Sequence, residues 1–325
     1  MRGSVPPISV VVPTRDTREL TLRCLASLEN GGVEPAQVIV VDDAGSDGTA
    51  EAIAARHPRV HILRNDRTLG FSGAVNRGLA EAEAPILLVL NSDTEVGPGC
   101  LERFVRTFEE QEDLGIAGAA LFDPDGTPQW SGGNEPSALW LFAASSGLGP
   151  LIGRLRRRRQ RTGVAPGRPA APATGGGEPR DVDWVAGTAL AMRRAVWEAC
   201  GPLDQRFALY CQDLDLCLRA SRAGWRVRLL PDARVLHHHG ATIAGTSGER
   251  QDLEHLWSDL VRWAAKWRGA AAAGRTARTL RAGALVRSFG LAIACTLATG
   301  TRRSHLRRKL DNVQRARLAL RGLAE

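Results

Sequence analysis

The chain has 325 residues, of which 43% are hydrophobic and 24% charged, and this composition excludes an intrinsically disordered chain. The net charge of +8 is unevenly distributed along the chain. Seven arginines lie within residues 154–168, and from residue 240 onward 16 Lys and Arg oppose 6 Asp and Glu. These two regions carry +7 and +10, so the rest of the chain carries about nine net negative charges. The basic balance is therefore no argument for a nucleic-acid partner, and we expect none.

Cysteine usage and hydropathy bear on the compartment. Six cysteines lie too far apart for CxxC metal pairs, and no secretory leader precedes the first apolar run at Ile8, so we expect a reducing, cytoplasmic compartment. The most apolar late stretch is residues 288–300. Its thirteen residues are fewer than the roughly 20 that a helix needs to cross a bilayer, which predicts a segment that lies on a membrane.

Four apolar runs in the first hundred residues alternate with helix-like stretches. The runs are residues 8–12, 38–41, 60–63 and 86–90. Continuous runs rich in Val, Ile and Leu are typical of strands buried on both faces, so the sequence predicts an α/β fold with a mostly parallel sheet flanked by helices. Each run ends in polar or turn residues, and such sheets bind ligands at the carboxyl ends of their strands. We expect the site at that edge.

The later part of the chain differs in composition from this domain. We expect an α/β domain over residues 1–245 and a basic helical extension over residues 246–325. About residues 153–180, an Arg-, Pro-, Ala- and Gly-rich stretch without apolar periodicity predicts a flexible insertion. The Thr-Ser-Gly-Glu sequence at 246–249 is typical of a helix capping box, and residues 253–264 carry an apolar stripe at helical spacing.

Acidic residues follow two of the four runs. Asp42 and Asp43 are candidates to accept hydrogen bonds from a nucleobase or a ribose, with helix capping by Asp47 or Asp42 as the alternative. Asp93, in the sequence Asn-Ser-Asp-Thr, offers one carboxylate to a divalent cation whose shell diphosphate oxygens and water would complete. A simple turn residue is the alternative at Asp93.

Two further candidates lie downstream. The segment FALYCQDLDLCLRASRAGWRV contains Asp213 and Asp215 on a predicted helix, where one carboxylate could act as a general base or cap the helix. Three adjacent histidines, residues 237–239, follow in a strand-like run. Because neighbouring side chains in a strand point to opposite sides, not all three can bind one ion. One of them is a candidate metal ligand through its neutral imidazole, and the others are surface or structural histidines.

Seven motifs occur together in a recognisable order. They are the strand ending in Pro13-Thr14, VVDDAGSDGT, NDRTLGFSGAVNRG, LNSDT, DWVAGTALAMRR, GPLDQRFALYCQDLDLCLR and PDARVLHHHG. In order and approximate spacing they resemble family 2 glycosyltransferases of the GT-A fold, with the closest likeness to bacterial rhamnosyltransferase-like and galactofuranosyltransferase-like members. The resemblance covers about residues 6–245.

This resemblance implies inverting transfer of a sugar from a nucleotide-diphospho-sugar to an acceptor hydroxyl, with Mg²⁺ or Mn²⁺ as cofactor. The donor-side positions that match the family are Pro13, Thr14, Asp42, Asp43, Gly70, Asn76, Gly78 and Asp93. By the same resemblance, Asp93 and His237 hold the metal and Asp213 is the catalytic base. The acceptor side matches at Trp184 and Gly187. We therefore expect a glycan or lipid-linked glycan as acceptor, in cell-surface polysaccharide or glycolipid assembly.

The chain departs from the family pattern at two positions. Asn91 stands where the first acid of a DxD motif would be, as it does among the rhamnosyl-type members. Gln212 stands where a Glu usually precedes the base, so an acceptor-side carboxylate is missing there. Asp215 is the residue that we expect to replace it on the acceptor side.

Two other function classes compete with this interpretation. A dinucleotide-dependent oxidoreductase would need GxGxxG directly after the first strand, where this chain reads VVPTRD. A basic adaptor that binds membrane or nucleic acid, with a catalytically weak domain, remains the alternative function.

The C-terminal extension predicts attachment to an anionic membrane surface. Its ten net positive charges and the indoles of Trp257, Trp263 and Trp267 favour a peripheral location at the inner face of the membrane. Packing of residues 253–264 on the catalytic domain, or an oligomer contact through these helices, is the alternative.

Overall fold

The structure is a computed structural model that describes residues 8–149, 177–238 and 252–322. The chain divides into two units. The first contains residues 8–134, 177–208 and 212–238, and the second contains residues 135–149, 209–211 and 252–322. Most of the predicted insertion, the capping box at 246–249 and His239 lie outside the described residues.

A mixed β-sheet forms the centre of the first unit. Its order is β3-β2-β1-β4-β10-β6-β11-β5, with β8 paired to β11, while β7 and β9 form a separate small ribbon. The strands are β1 Ile8–Thr14, β2 Gln37–Asp42, β3 His61–Arg64, β4 Ile86–Leu90, β5 Thr94–Val96, β6 Leu114–Phe122, β7 Gly132–Gly133, β8 Arg180–Asp181, β9 Trp184–Val185, β10 Ala189–Arg193 and β11 Arg226–His237.

Helices cover both faces of this sheet and make up most of the second unit. They are α1 Arg18–Ser27, α2 Thr49–Arg56, α3 Gly70–Glu81, α4 Cys100–Glu110, α5 Ala138–Ser146, α6 Arg194–Cys200, α7 Gln212–Arg222, α8 Leu253–Arg268, α9 Ala270–Leu297 and α10 Gly300–Ala319, with a 3₁₀ turn at Leu28–Asn30.

The parallel half of the sheet forms where the apolar runs predict it. Strands β1 to β4 pair in parallel, and each residue of β1 from Ile8 to Val12 is fully buried. Val10 and Val12 belong to the hydrophobic core on one face, and Val11 belongs to the core on the other. Because both faces are covered, the strand needs no polar alternation, and the α/β fold is confirmed.

The other half of the sheet contains antiparallel pairs, and it positions residues of the candidate site. Strand β10 runs antiparallel to both β4 and β6, and β11 pairs in parallel with β6. Strand β11 also runs antiparallel to β5, in a register that sets His237 opposite Thr94. This pairing brings His237 to the start of β5, directly after Asp93.

The second unit is helical. Helix α9 packs against α5, where Gly283 allows close approach: a Cβ at this position would lie 2.0 Å from Ser145 Oγ. Helix α8 begins after Asp252, whose Oδ1 accepts hydrogen bonds from the amides of Glu254 and His255. Thus a single N-cap residue begins the described helix.

Two expectations for the extension were wrong. Trp257 and Trp263 are 2% and 1% exposed, so these indoles are buried in the protein and cannot serve as interfacial anchors. Residues 288–300 do not form a separate short segment either, because a helix ends within them at Leu297 and the next begins at Gly300. Residues 288–297 continue a helix that begins at Ala270, and by length and composition alone that helix could cross a bilayer.

Candidate active site

The carboxyl ends of β1 and β4 meet through a network of buried hydroxyl groups. Thr14 Oγ1 lies 2.8 Å from both Thr17 Oγ1 and Thr21 Oγ1, and Thr17 Oγ1 lies 3.0 Å from Ser92 Oγ. Pro13, one residue earlier, is partly buried. The hydroxyl groups fix the start of α1 against the strand end that carries Asp93.

The two acids after β2 are buried and shape the neighbouring loops. Asp42 Oδ1 accepts a hydrogen bond from Gly45 N at 2.9 Å. Asp43 accepts three, from Asn65 Nδ2 at 2.7 Å, Leu69 N at 2.8 Å and Gly70 N at 2.9 Å. Asp43 therefore supplies a long-range cap for the first turn of α3, a capping role that the sequence did not indicate for this residue.

The donor-side residues of α3 have three different structural roles. Gly70 has φ +75°, in the left-handed region that favours glycine. Gly78 lies against the sheet, where a Cβ would fall 2.4 Å from Val11 Cγ1. The Asn76 amide donates to Leu203 O and accepts from Leu203 N, at 2.9 and 2.8 Å, so it anchors the loop that leads toward α7.

Asp93 and His237 form the polar centre of this edge. Asp93 Oδ1 lies 3.4 Å from His237 Nε2, and the two residues are 5% and 7% exposed. The backbone joins them as well, because His238 N donates to Asp93 O at 2.8 Å. The next pair, His238 Nε2 and Glu95 Oε1, is 2.7 Å apart. The structure thus places together the two residues proposed as metal ligands.

A glutamine that the sequence analysis did not identify sets the tautomer of His237. Gln129 Nε2 donates to Asp123 Oδ1 at 3.0 Å and to His237 O at 2.8 Å, which identifies the nitrogen end of this amide. Gln129 Oε1 then lies 2.7 Å from His237 Nδ1, and because the oxygen can only accept, Nδ1 carries the hydrogen. In neutral His237, Nε2 therefore presents a lone pair toward Asp93.

The ligand atoms at this edge fit a divalent cation that takes only a few of its ligands from the protein. Two acceptor atoms, Asp93 Oδ1 and His237 Nε2, face each other, and Asn91 Oδ1 is a buried acceptor without a hydrogen-bond partner among the described residues. No cluster of three His, Cys, Asp or Glu suited to a metal occurs in the part of the chain that is described. Burial raises the pKa of the nearby Cys24 thiol to about 12, and its Sγ donates a hydrogen bond to Asn91 O.

Asp213 lies in the first turn of α7, beside a small cleft. Its Oδ2 accepts from Gly187 N at 2.9 Å and its Oδ1 from Leu214 N at 2.8 Å. The other walls of the cleft are mainly apolar and include Phe71 and Leu203. Desolvation raises the pKa of Asp213 and outweighs the amide hydrogen bonds that lower it. A carboxyl group with a raised pKa beside a cleft suits a general base.

A short backbone path joins the base to the metal candidates. Gly187 N donates to Asp213, and the carbonyl of the next residue, Thr188, accepts from Asn91 N at 2.9 Å. The segment between β9 and β10 therefore bridges the start of α7 and the end of β4.

The structure corrects the expectation for Asp215. This residue is fully buried, and its Oδ2 accepts from Arg219 Nε at 3.0 Å. Arg219 also donates to Pro202 O at 2.9 Å, so the pair anchors the loop before α7. Asp215 consequently cannot present a carboxylate to an acceptor. Gln212, the other acceptor-side departure, is 6% exposed and lines the same cleft as Asp213.

Trp184 belongs to an aromatic pair. Its ring lies 4.9 Å from that of Trp130 at an interplanar angle of 82°, and Trp184 Nε1 donates to Asn134 O at 3.2 Å. Trp130 is 39% exposed. Sequence reasoning missed both Trp130 and Gln129, since the stretch that holds them lies outside the seven motifs and between short irregular elements. A Trp two residues before a Gly-Gly pair was the signal that the sequence offered there.

The comparisons with known proteins agree with this architecture. The family model described as "Glycosyl transferase family 2" matches residues 9–171. The chain is 30% identical over 227 residues to the N-acetylglucosaminyl-diphospho-decaprenol L-rhamnosyltransferase of Mycobacterium tuberculosis, covering 66% of this chain and 71% of the relative. It is 40% identical over 83 residues to rhamnosyltransferase WbbL of Escherichia coli, covering 25% and 31%.

A solved structure supports the fold independently. It is the mannosyltransferase PcManGT from Pyrobaculum calidifontis in complex with GDP-Man and Mn²⁺, with a TM-score of 0.59 and 16% identity, covering 99% of this chain and 88% of that one. The fold is therefore GT-A, with additional C-terminal helices. The chain is a glycosyltransferase, and it belongs to glycosyl transferase family 2.

Proposed function

We propose that this glycosyltransferase catalyses metal-dependent, inverting transfer of a hexosyl or deoxyhexosyl group from a nucleotide-diphospho-sugar to an acceptor hydroxyl. The observation that carries the proposal is Asp213, a single carboxylate on the cleft, joined through Gly187 and Thr188 to the strand end with Asp93 and His237. Among the described residues that line this cleft, no second carboxylate is available. A double displacement through an enzyme nucleophile would need one beside the base.

The proposed step needs one proton acceptor. The acceptor hydroxyl oxygen attacks the anomeric carbon from the face opposite the diphosphate, and its proton passes to Asp213. The bond between the anomeric carbon and the diphosphate oxygen breaks, and its electron pair leaves with the diphosphate. Asp213 suits this proton transfer because desolvation raises its pKa and makes its carboxylate a better base than an ordinary exposed Asp.

Asp93 and His237 are the residues that would hold Mg²⁺ or Mn²⁺, with Asn91 beside them. When bound, the cation supplies charge neutralisation for the departing diphosphate. Gln129 keeps the hydrogen of His237 on Nδ1, so that Nε2 is available as a ligand.

We place the nucleotide against the ends of β1 and β2. Pro13, Thr14, Asp42 and Asp43 line that edge, and Gly70 and Asn76 form the adjoining part of α3. Two backbone positions beside it are non-glycine residues with positive φ, Asp16 at 51° and Ala44 at 58°. Such conformations persist where the surroundings hold them and often accompany ligand sites.

We place the acceptor on the side of Gly187 and Gln212, with Trp130 and Trp184 as its aromatic contact. A pair of indoles with an exposed face suits a sugar ring or an apolar lipid-linked glycan. The first-named relative acts on a decaprenyl diphosphate glycan according to its name, so we propose a lipid-linked glycan acceptor in cell-surface glycan synthesis. We further propose a cytoplasmic enzyme, peripheral at the inner face of the membrane, consistent with the absence of disulfide bonds among its six described cysteines.

Thermal unfolding in the presence of nucleoside diphosphates tests the proposal. Binding adds RT ln(1 + [L]/Kd) to stability, so a panel of UDP, TDP and GDP, each with and without Mn²⁺, should show one diphosphate that stabilises the protein most in the presence of metal. Asp93→Ala should abolish the Mn²⁺-dependent increment, while the surface control Asp232→Ala should retain it. Equal diphosphate affinity in wild type and Asp93→Ala, with Mn²⁺ present, would contradict the assignment.

A further inference from the structure

Helix α9 presents an apolar face outside the core of its own unit. Its buried residues, including Ala273, Ala277 and Gly283, lie on one side, where the helix packs against α5. Large apolar residues are exposed on the opposite side. They form the apolar stripe: Leu285 (54% exposed), Val286 (44%), Phe289 (71%), Ile293 (46%) and Leu297 (81%).

The apolar stripe is continuous along the helix. Leu285, Phe289, Ile293 and Leu297 recur every fourth residue and Val286 adjoins the first of them, so all lie on one face. At about 1.5 Å per residue the stripe is about 18 Å long. Exposure of five large apolar side chains in a row is unusual for a surface that meets only water, and it marks an interaction site.

Basic residues begin where the apolar stripe ends. Helix α10 starts three residues after Leu297, and its exposed arginines are Arg302, Arg303, Arg307, Arg308 and Arg315, of which the last four lie opposite its buried residues and form the basic face. None of these five arginines makes an ion pair with another described residue. Two of them lie in the first turn, where the helix dipole disfavours a cation, so they do not serve the stability of the helix.

We propose that the apolar stripe and the basic face together bind an anionic lipid bilayer, with α9 lying in the interface. The inference deepens the proposed function, because it assigns the surface through which an enzyme with a lipid-linked acceptor would reach the membrane. Apolar side chains enter the boundary between headgroups and acyl chains, and arginines contact lipid phosphates. The net positive extension favours anionic lipid over an acidic soluble partner, which would leave the stripe in water.

Lying in the interface fits α9 better than crossing the bilayer. Although the helix is long and apolar enough to span, one of its faces packs against α5 within the second unit. It also carries Arg275, Arg278, Arg281 and Arg287. Crossing would bring arginines into the hydrocarbon and remove the helix from its protein neighbours.

Flotation of the full-length protein with liposomes tests the role of the apolar stripe. Wild type should float with vesicles of phosphatidylcholine containing phosphatidylglycerol, and not with phosphatidylcholine alone. The triple variant Phe289→Gln, Ile293→Gln, Leu297→Gln should bind the anionic vesicles at least about tenfold more weakly, since three apolar side chains no longer enter the interface. The control Leu139→Gln, at an exposed apolar residue of α5, should float like wild type.

A charge-matched pair tests the basic face. Arg303→Gln, Arg307→Gln, Arg308→Gln should weaken flotation by about tenfold or more and reduce its sensitivity to salt. The control removes the same number of charges from exposed positions of the first unit and should float like wild type; it carries Arg23→Gln, Arg56→Gln and Arg59→Gln.

Several outcomes would overturn the inference. They are flotation of the stripe variant equal to wild type, failure of wild type to float, and resistance of bound protein to carbonate extraction, which would indicate a spanning helix. A stripe variant that changes the oligomeric state and still floats would assign the stripe to a contact between copies of this chain. Diphosphate-induced stabilisation, measured on the same variants, should equal that of wild type. If wild type itself shows no such stabilisation, that result would count against the proposed function and not against the lipid surface.

Discussion

Gln129 controls which nitrogen of His237 can bind a cation. Its amide is oriented by Asp123 and by the His237 carbonyl, so its oxygen must accept from Nδ1. Without that acceptor, either ring nitrogen could carry the hydrogen. In the tautomer with the hydrogen on Nε2, this nitrogen would have no lone pair for a cation. A ligand's hydrogen-bond partner of this kind commonly changes metal affinity by about 10- to 100-fold.

We therefore predict that Gln129→Leu weakens Mn²⁺ binding by about 10- to 100-fold in the presence of a nucleoside diphosphate. Leucine keeps the approximate volume and removes the acceptor. Electron paramagnetic resonance of unbound Mn²⁺ measures the affinity directly and needs no turnover. The control Gln314→Leu, on the exposed side of α10, should leave Mn²⁺ affinity unchanged, and an unchanged affinity in Gln129→Leu would show that His237 needs no such support.

We expect Asp213, the proposed base, to determine the pH dependence of transfer. Desolvation raises its pKa, so the group takes up its proton at a higher pH than an exposed aspartate does, and the base is lost as the pH falls through that raised value. The acidic limb of kcat/KM should consequently lie above the ordinary range of an aspartate.

We predict that Asp213→Asn loses transfer by roughly 10²- to 10⁴-fold while retaining diphosphate binding, because the amide keeps the size and lacks the basicity. The acidic limb of kcat/KM should vanish from the residual activity. Transfer at a near wild-type rate in Asp213→Asn would assign the base to another residue. The buried ion pair with Arg219 makes Asp215 a poor replacement.

At the scale of elements, α8 holds the segment that leads to the base. Asp259 is fully buried, and its Oδ2 accepts from Leu209 N and Tyr210 N, each at 3.0 Å, while its Oδ1 accepts from Arg262 at 2.7 Å. Cys211 follows with φ +67°, an uncommon conformation for a residue other than glycine. One carboxylate thus fixes the segment just before α7 begins.

We predict that Asp259→Ala lowers the free energy of unfolding by roughly 2–5 kcal/mol, because two amides and a guanidinium lose a buried acceptor. Urea denaturation followed by circular dichroism measures this change. Asp311→Ala, at an exposed acid of α10, should change the free energy by less than about 0.5 kcal/mol. A loss below about 1 kcal/mol in Asp259→Ala would mean that solvent or another group replaces the carboxylate.

Periodicity predicted the parallel half of the sheet and not the rest. The runs that became β1 to β4 are continuous and apolar, so their pattern alone identifies buried strands. Strand β5 has three residues and β10 five, and their antiparallel placement depends on partners far along the chain. The same difference applies to the candidate site. The predicted strand ends identified Asp42 and Asp93, whereas Gln129 and Trp130 could be found only from their tertiary contacts.

Burial explains why the extension was only partly predicted. The stripe in α8 signalled a helix correctly, but a stripe has the same spacing whether it meets lipid or protein, so Trp257 and Trp263 were assigned to the wrong surroundings. The exposed stripe in α9 follows the same periodicity. Only the packing of α9 against α5 distinguishes the two faces.

At the scale of the whole molecule, the boundary between the two units does not coincide with a point in the sequence. The extension shares its unit with α5 and with residues 209–211, which lie within the first 245 residues. Helix α5 carries the apolar sequence ALWLFAASS, its residues Leu141 and Ala143 are buried, and the helix packs against α9. Removing residues beyond 250 would leave these groups without their partners.

We predict that a chain ending at residue 250 is not a stable catalytic fragment. Loss of α9 exposes the apolar side of α5, and loss of α8 removes the acceptor that Asp259 provides for Leu209 and Tyr210. If the fragment is soluble, its Tm should fall by about 10 °C or more, since several kcal/mol of packing are lost at roughly 2–4 °C per kcal/mol for a chain of this size. Differential scanning calorimetry gives the Tm, and light scattering detects the aggregation that exposed apolar surface favours. A monomeric fragment with the Tm and the diphosphate affinity of the full chain would show that the C-terminal helices are an appendage, whereas the buried contacts of Asp259 and Gly283 indicate that they complete a folded unit.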